Sequence, residues 1–365
     1  MSTLANEKPV QRPQLPHFLS IRYEVTDLGP AKIPGEPSIF LYARGLNNLG
    51  QVVGECTVNN QNIPFIWSKA TGRNYLPYNG FGAVAMCIND SGVAAGCYFN
   101  NSNWPPSHAC LWRNNAIVNL ATPGGGGCMI YDINNSDVVV GVMSGHACCS
   151  QQGTLVDIGT LGGPTSSALA INNAGTIVGF SEIDNNGTRH GFVCDGVGKP
   201  MKDLGDLGGG WSIAVDINDA GQILGYSPPQ LGGAVHACLW QAGTIIDIGA
   251  IGGINSNGAS INNVGTAVGM SNTSINSPDY HAFVYNRPVL GYQGRVEGML
   301  DVNSLLLSPF LSPSGQQNVF DYAFGINDQG QMLASCSAAA QYLLTPVIVL
   351  RSKLEMGPMC HEKRD

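Results

Sequence analysis

The chain carries little charge: Asp, Glu, Lys and Arg together make up 12% of its 365 residues. The 25 acidic and 17 basic side chains give a formal net charge of -8. No cluster of Lys or Arg is present, which excludes a phosphate-tracking surface and with it a nucleic-acid partner. Helix-forming stretches of Glu, Lys and Ala are nearly absent. No run of 18 apolar residues occurs, so no helical membrane span is expected. The polar, Pro-containing segment from Met1 to Ser20 lacks the apolar core of a secretory leader, and the expectation is a soluble, cytoplasmic protein. The motifs of common catalytic and cofactor sites are missing as well: no Gly-Lys-Ser/Thr phosphate loop, Gly-x-Ser-x-Gly elbow, His-Glu-x-x-His, Cys-x-x-Cys or EF-hand loop is found. No cofactor and no metal is therefore expected, and a small molecule is the expected partner.

What the chain does have is glycine, 48 residues of it, and a repeat. An aliphatic-Asn pair followed by a turn and a Gly-bearing apolar strand occurs seven times, at Leu46-Asn47, Ile88-Asn89, Ile133-Asn134, Ile171-Asn172, Ile217-Asn218, Ile261-Asn262 and Ile326-Asn327. The spacing matches one four-stranded blade per copy, which predicts an all-β fold, a single seven-bladed β-propeller over residues 23–350. An N-terminal extension (1–22) and a C-terminal tail (351–365) flank it. In each copy Asn opens a turn that a Gly closes in a left-handed conformation; the third copy has Asp137 there, which tolerates that conformation better than most residues. Tyr23–Gly29 (YEVTDLG) matches a fourth strand but precedes the first inner strand, whereas the last copy lacks a fourth strand. The two ends are expected to pair, with the N-terminal strand completing blade seven as its outermost strand.

The units DIGTLGGPTSSALAINNAGTIVGFS and DLGDLGGGWSIAVDINDAGQILGYS, closed by HACLW and HAFVY, resemble the HAF-type repeat family of bacterial proteins. The ending LDVNSLL, AFGINDQGQ, YLLTP is similar to the degenerate last repeat of that family. The resemblance covers roughly Tyr23 to Leu350 and implies the repeat architecture without an activity; members are often described as extracellular.

The repeat accounts for several features that otherwise suggest chemistry. Five histidines, His108, His146, His190, His236 and His281, share one slot in five blades, too far apart for one metal ion. Each is expected to tie its own blade through a side-chain hydrogen bond to an Asn or Asp such as Asp157, Asp203 or Asp247. Cys110, Cys148 and Cys238 occupy the slot of Phe65, Phe192 and Phe283 and read as small buried hydrophobes, reduced. The Gly-rich runs at 124–127, 162–163, 208–210 and 252–253 recur as connectors without a following helix, so they read as loops and not as nucleotide sites.

Function is then sought where the repeat is broken at the inner strand. Immediately before the Ile/Leu stand Asp132 and Asp216, where the other copies have Gly, Cys, Ala or Ser. One residue earlier Arg44 is the lone charge, and Tyr131 is one of two aromatics. Tyr42, Trp211, Asp321 and Tyr322 lie just upstream. These residues are expected to converge near the channel mouth, with Asp132, Asp216 or Asp321 as base, Arg44 as anion stabiliser, and Tyr42, Tyr131, Trp211 and Tyr322 contacting a ligand. The bland alternative is mutual pairing of the charges. Three functions follow: a cofactor-independent enzyme of cyclisation, alkylation or lyase type in a biosynthetic pathway; a non-catalytic ligand-binding or interaction propeller; and an extracellular structural repeat protein. The long stretch Val289–Val319 reads as an irregular connection into blade seven, a candidate lid.

Overall fold

A computed structural model describes residues 18–28, 40–58, 61–99, 108–124, 127–275, 279–288, 295–311, 317–336 and 340–351. The tail, Gly29 and most of the N-terminal extension lie outside these. Seven four-stranded antiparallel sheets form a seven-bladed propeller. The innermost strands are Phe40–Leu46, Gly82–Ile88, Cys128–Ile133, Ser166–Ile171, Ile213–Ile217, Ser256–Ile261 and Phe320–Ile326. Closure is as the sequence predicts: Phe18–Asp27 pairs with Gln341–Arg351 along ten residues and supplies the outer strand of blade seven.

Every inner strand contains a β-bulge, and it falls on the same residue of the repeat. Arg44, Met86, Tyr131, Leu169, Val215, Ala259 and Phe324 each interrupt the pairing with the second strand. A bulge turns two successive side chains to one side, so the bulged residue and its successor both reach the channel, which simple alternation would forbid. In six blades a Gly of the second strand answers this bulge; blade seven has Ala334 there, and its inner strand carries a second bulge. A Cβ on Gly54 would lie 1.9 Å from the Tyr42 carbonyl oxygen, and one on Gly179 1.9 Å from that of Ser167. Only glycine admits that approach. Opposite these glycines on the third strand sit Phe65, Cys110, Cys148, Phe192, Cys238 and Phe283, all fully buried, each Phe contributing about 1.5–3 kcal/mol of burial.

Each repeat Asn does two jobs. Its Oδ1 accepts the backbone N–H four residues on, closing the turn, at 2.8–3.1 Å. Its Nδ2 donates to the backbone carbonyl of the Asn in the next blade at 2.9–3.2 Å, and Asn327 donates to Asn47, so the circuit closes. The residue after it builds a second circuit: Asn48, Asp90, Asn135, Asn173, Asp219, Asn263 and Asp328 each give a backbone N–H to the side chain of the next at 2.7–2.9 Å. No two of the three Asp residues in it are neighbours, which spares the ring direct like-charge contact.

One expectation changes, and the histidine expectation is met in four blades. Part of the stretch at 289–319 is regular: Arg295–Asp301 is the outer strand of blade six, and a 3-10 turn follows at Val302–Leu305. Four of the five histidines bind a carboxylate, His146 to Asp157, His190 to Asp203, His236 to Asp247 and His281 to Asp301, at 2.7–2.8 Å. His108 stacks on Tyr98 with ring centroids 4.8 Å apart, and its blade carries Asn119 where Asp157 stands in blade three. At Asp137 the turn is kept with φ of 60°, and the carboxylate accepts from Asn89 Nδ2 at 2.7 Å and pairs with Arg113.

Candidate functional site

The axis of the propeller is a channel of two chambers. One, of about 210 Å³, is walled by the two amide circuits. The other, of about 180 Å³, is walled by the bulged residues and their successors, and Leu46, Ile88, Ile326, Asp132, Asp216 and Ser260 belong to both.

Asp132 and Asp216 stand half-buried in this wall, lining both chambers. Asp132 accepts the N–H of Ile133 with Oδ1 and that of Ile171, one blade on, with Oδ2, each at 2.8 Å. Asp216 repeats this with Ile217 and Ile261, and Ser260 Oγ donates to its Oδ2 at 2.8 Å. Among the described residues neither has a cation partner. Burial pushes Asp132 up to about 7 despite its backbone hydrogen bonds, and the Asp216 charge adds to the rise; burial pushes Asp216 up to about 6.

Arg44 also lines this chamber, but it is not a lone charge. Its guanidinium lies 2.6 Å from Glu55 on the second strand and 5.3 Å above the Tyr42 ring. Burial raises the Glu55 carboxyl while the guanidinium pulls it down. Glu55 lies on the second strand, outside the inner-strand positions at which the repeat is broken.

The remaining predicted residues disperse. Tyr131 lines the chamber as a bulged residue. Tyr322 packs on the lining residue Phe324, with ring centroids 5.8 Å apart, and burial raises its hydroxyl. Trp211 lines a separate recess of about 610 Å³ with Arg189, Tyr226 and Leu231, and meets the Tyr226 ring edge-on at 6.1 Å. Tyr226, which sequence reasoning missed, lines the recess, and burial raises its hydroxyl. Asp321 sits on a second bulge, outside the chamber lining, and accepts from Ser335 Oγ at 3.0 Å. Among the described residues no group of His, Cys, Asp and Glu side chains is placed to hold a metal ion, and no helix is long and apolar enough to cross a membrane.

No family model and no curated protein matches the chain. Among solved structures it is similar to a catalytically inactive virginiamycin B lyase from Staphylococcus aureus with quinupristin, at 9% identity, covering 89% of this chain and 99% of that one, with a TM-score of 0.51. It is also similar to a gluconolactonase from Xanthomonas campestris, at 10% identity, covering 92% and 99%, with a TM-score of 0.38. At such identities the likeness to the lyase shows the propeller fold and nothing finer.

Proposed function

We propose that the central channel binds a small organic molecule and that Asp132 and Asp216 move protons there, making the chain a cofactor-independent enzyme of lyase, cyclisation or alkylation type, built on a HAF-type repeat. The observation that carries this reading is a small chamber walled by two half-buried carboxylates without a cation partner among the described residues. Near neutral pH such a pair holds one proton acceptor and one proton donor in the same space, which is what removal of a proton and its return to a leaving group require. Arg44, tied to Glu55, contributes positive charge at the wall without needing a ligand to neutralise it.

The test is a screen of small molecules by thermal shift and turnover on wild type and Asp132→Asn. A compound bound by both and turned over by wild type alone supports the reading. A compound turned over equally by both would overturn the role of Asp132.

A second reading rests on the same hydrogen bonds. Each Asp clasps its own blade and the next through backbone N–H groups, which is structural stapling and needs no ligand. On that reading Asp132→Asn changes stability and no binding.

A further inference from the structure

Each inner strand turns one backbone N–H toward the channel, that of the Leu or Ile ahead of the repeat Asn. The register shows why. Asn47 N–H donates to the Gln51 carbonyl, so Leu46, paired with Val52, directs its own N–H away from the second strand, where only the channel lies. In four blades the acceptor is a carboxylate: Asp132 takes the N–H groups of Ile133 and Ile171, and Asp216 those of Ile217 and Ile261.

The two acids thus consume four of these donors. The other three, on Ile326, Leu46 and Ile88, fall in consecutive blades and have no side-chain acceptor among the described residues. At the place in blade seven equivalent to Asp132 and Asp216 stands Gly325. Neither conformation nor crowding demands a glycine there: its φ is not positive, and a Cβ would meet nothing nearer than Leu333 at 3.7 Å. Gly45 is different, since a Cβ on it would lie 2.9 Å from Cys87 Cα. The room beside these donors is therefore over Gly325, between blades seven and one, next to Phe324.

The geometry points to a carboxylate site over Gly325, in which the N–H groups of Ile326 and Leu46 take the two oxygens of a small organic acid as the equivalent donors take Asp132 and Asp216. This deepens the reading of the channel as a small-molecule site and rests on it. It names the substrate class: a carboxylic acid held by its head group, with its body extending into the chamber that Asp132 and Asp216 wall. Charge-assisted bonds from two fixed backbone donors select a carboxylate over its uncharged amide.

The experiment follows backbone amide resonances while benzoate, and separately benzamide, is titrated into wild type, Gly325→Ala and Gly325→Asp. Benzoate is expected to shift the Leu46 and Ile326 amides saturably, and benzamide to bind at least about tenfold more weakly. Gly325→Asp carries its own carboxylate into the site and loses benzoate binding while melting cooperatively at or above the wild-type temperature; Gly325→Ala keeps it. Equal binding of benzoate and benzamide, or unchanged binding by Gly325→Asp, overturns the site. Shifts confined to Tyr131 and Asp132 overturn the site but leave the channel reading standing. Absence of any shift in wild type overturns the site, and the Asp132→Asn screen then decides the channel reading by itself.

Discussion

The Asp132 carboxylate and the Ile171 amide belong to different blades and meet at 2.8 Å in the channel wall. Asp132 is therefore at once a joint between blades and the most perturbed carboxyl of the candidate site, and its titration is felt by the whole ring.

That coupling has a sign. Asp132 titrates at about 7 and Asp216 at about 6 when folded, against an ordinary value of 3.8, so the folded chain holds the protons more tightly than the unfolded one. Their contribution to stability is complete below about pH 4 and is lost as pH rises toward about 7. Each unit of such a difference carries about 1.4 kcal/mol. The urea midpoint should fall between about pH 5 and about pH 8, and Asp132→Asn with Asp216→Asn should flatten that slope. An equal slope in the double variant would contradict the assignment.

The Asn circuit is expected to be a major source of cooperativity. Asn172→Ala removes the acceptor of the half-buried Thr176 N–H and the donor to the buried Asn218 carbonyl, at a cost of about 2 kcal/mol. Asn172→Asp should be worse, because a carboxylate then faces that carbonyl. Chemical denaturation of both variants measures the difference.

Arg44→Ala should cost stability before it reports on any ligand, since it leaves Glu55 buried without its cation. The expected loss is about 2 kcal/mol, less than for a wholly buried pair because the Arg44 side chain is 40% exposed. Arg44→Met with Glu55→Leu should recover most of it. A thermal melt in which the double variant falls below Arg44→Ala would show that the pair matters for another reason.

Deleting residues up to Leu28 removes the ten-residue pairing with Gln341–Arg351 and opens the ring. The shortened chain should lose its cooperative melt; a sharp transition retained would mean that blade seven stands on three strands.

The fold was legible because the repeat repeats its reasons. Seven Asn residues at one position, and a leading strand without a blade, were enough to set the frame and the closure. What escaped notice lay off that template. Arg295–Asp301 reads EGMLD at its end where other blades have a Lys-Asp-Leu-Gly type ending, so the pattern does not mark it as a strand. The bulge is invisible in sequence, since it depends on how the inner strand pairs; it is the reason Tyr131 and Asp132, adjacent in the chain, both line the chamber. Glu55 and Tyr226 were missed because they follow the second-strand glycine, in a column that varies freely and drew no comparison. Asp321 lies on an inner strand, as Asp132 and Asp216 do, yet it sits on a second bulge and does not line the chamber.

The Asn circuit runs in one direction, every blade giving to the next and receiving from the last. Such a loop has no end at which a unit can be added. Proteins that stack repeats in a line tolerate duplication at either terminus, but here an eighth copy would have to be admitted by breaking a link and re-spacing all the others. The number seven is thereby protected against the unequal recombination to which a tandem array is exposed, while single residues facing the axis stay free to change. A scaffold locked in count and open in lining can acquire new chemistry one substitution at a time.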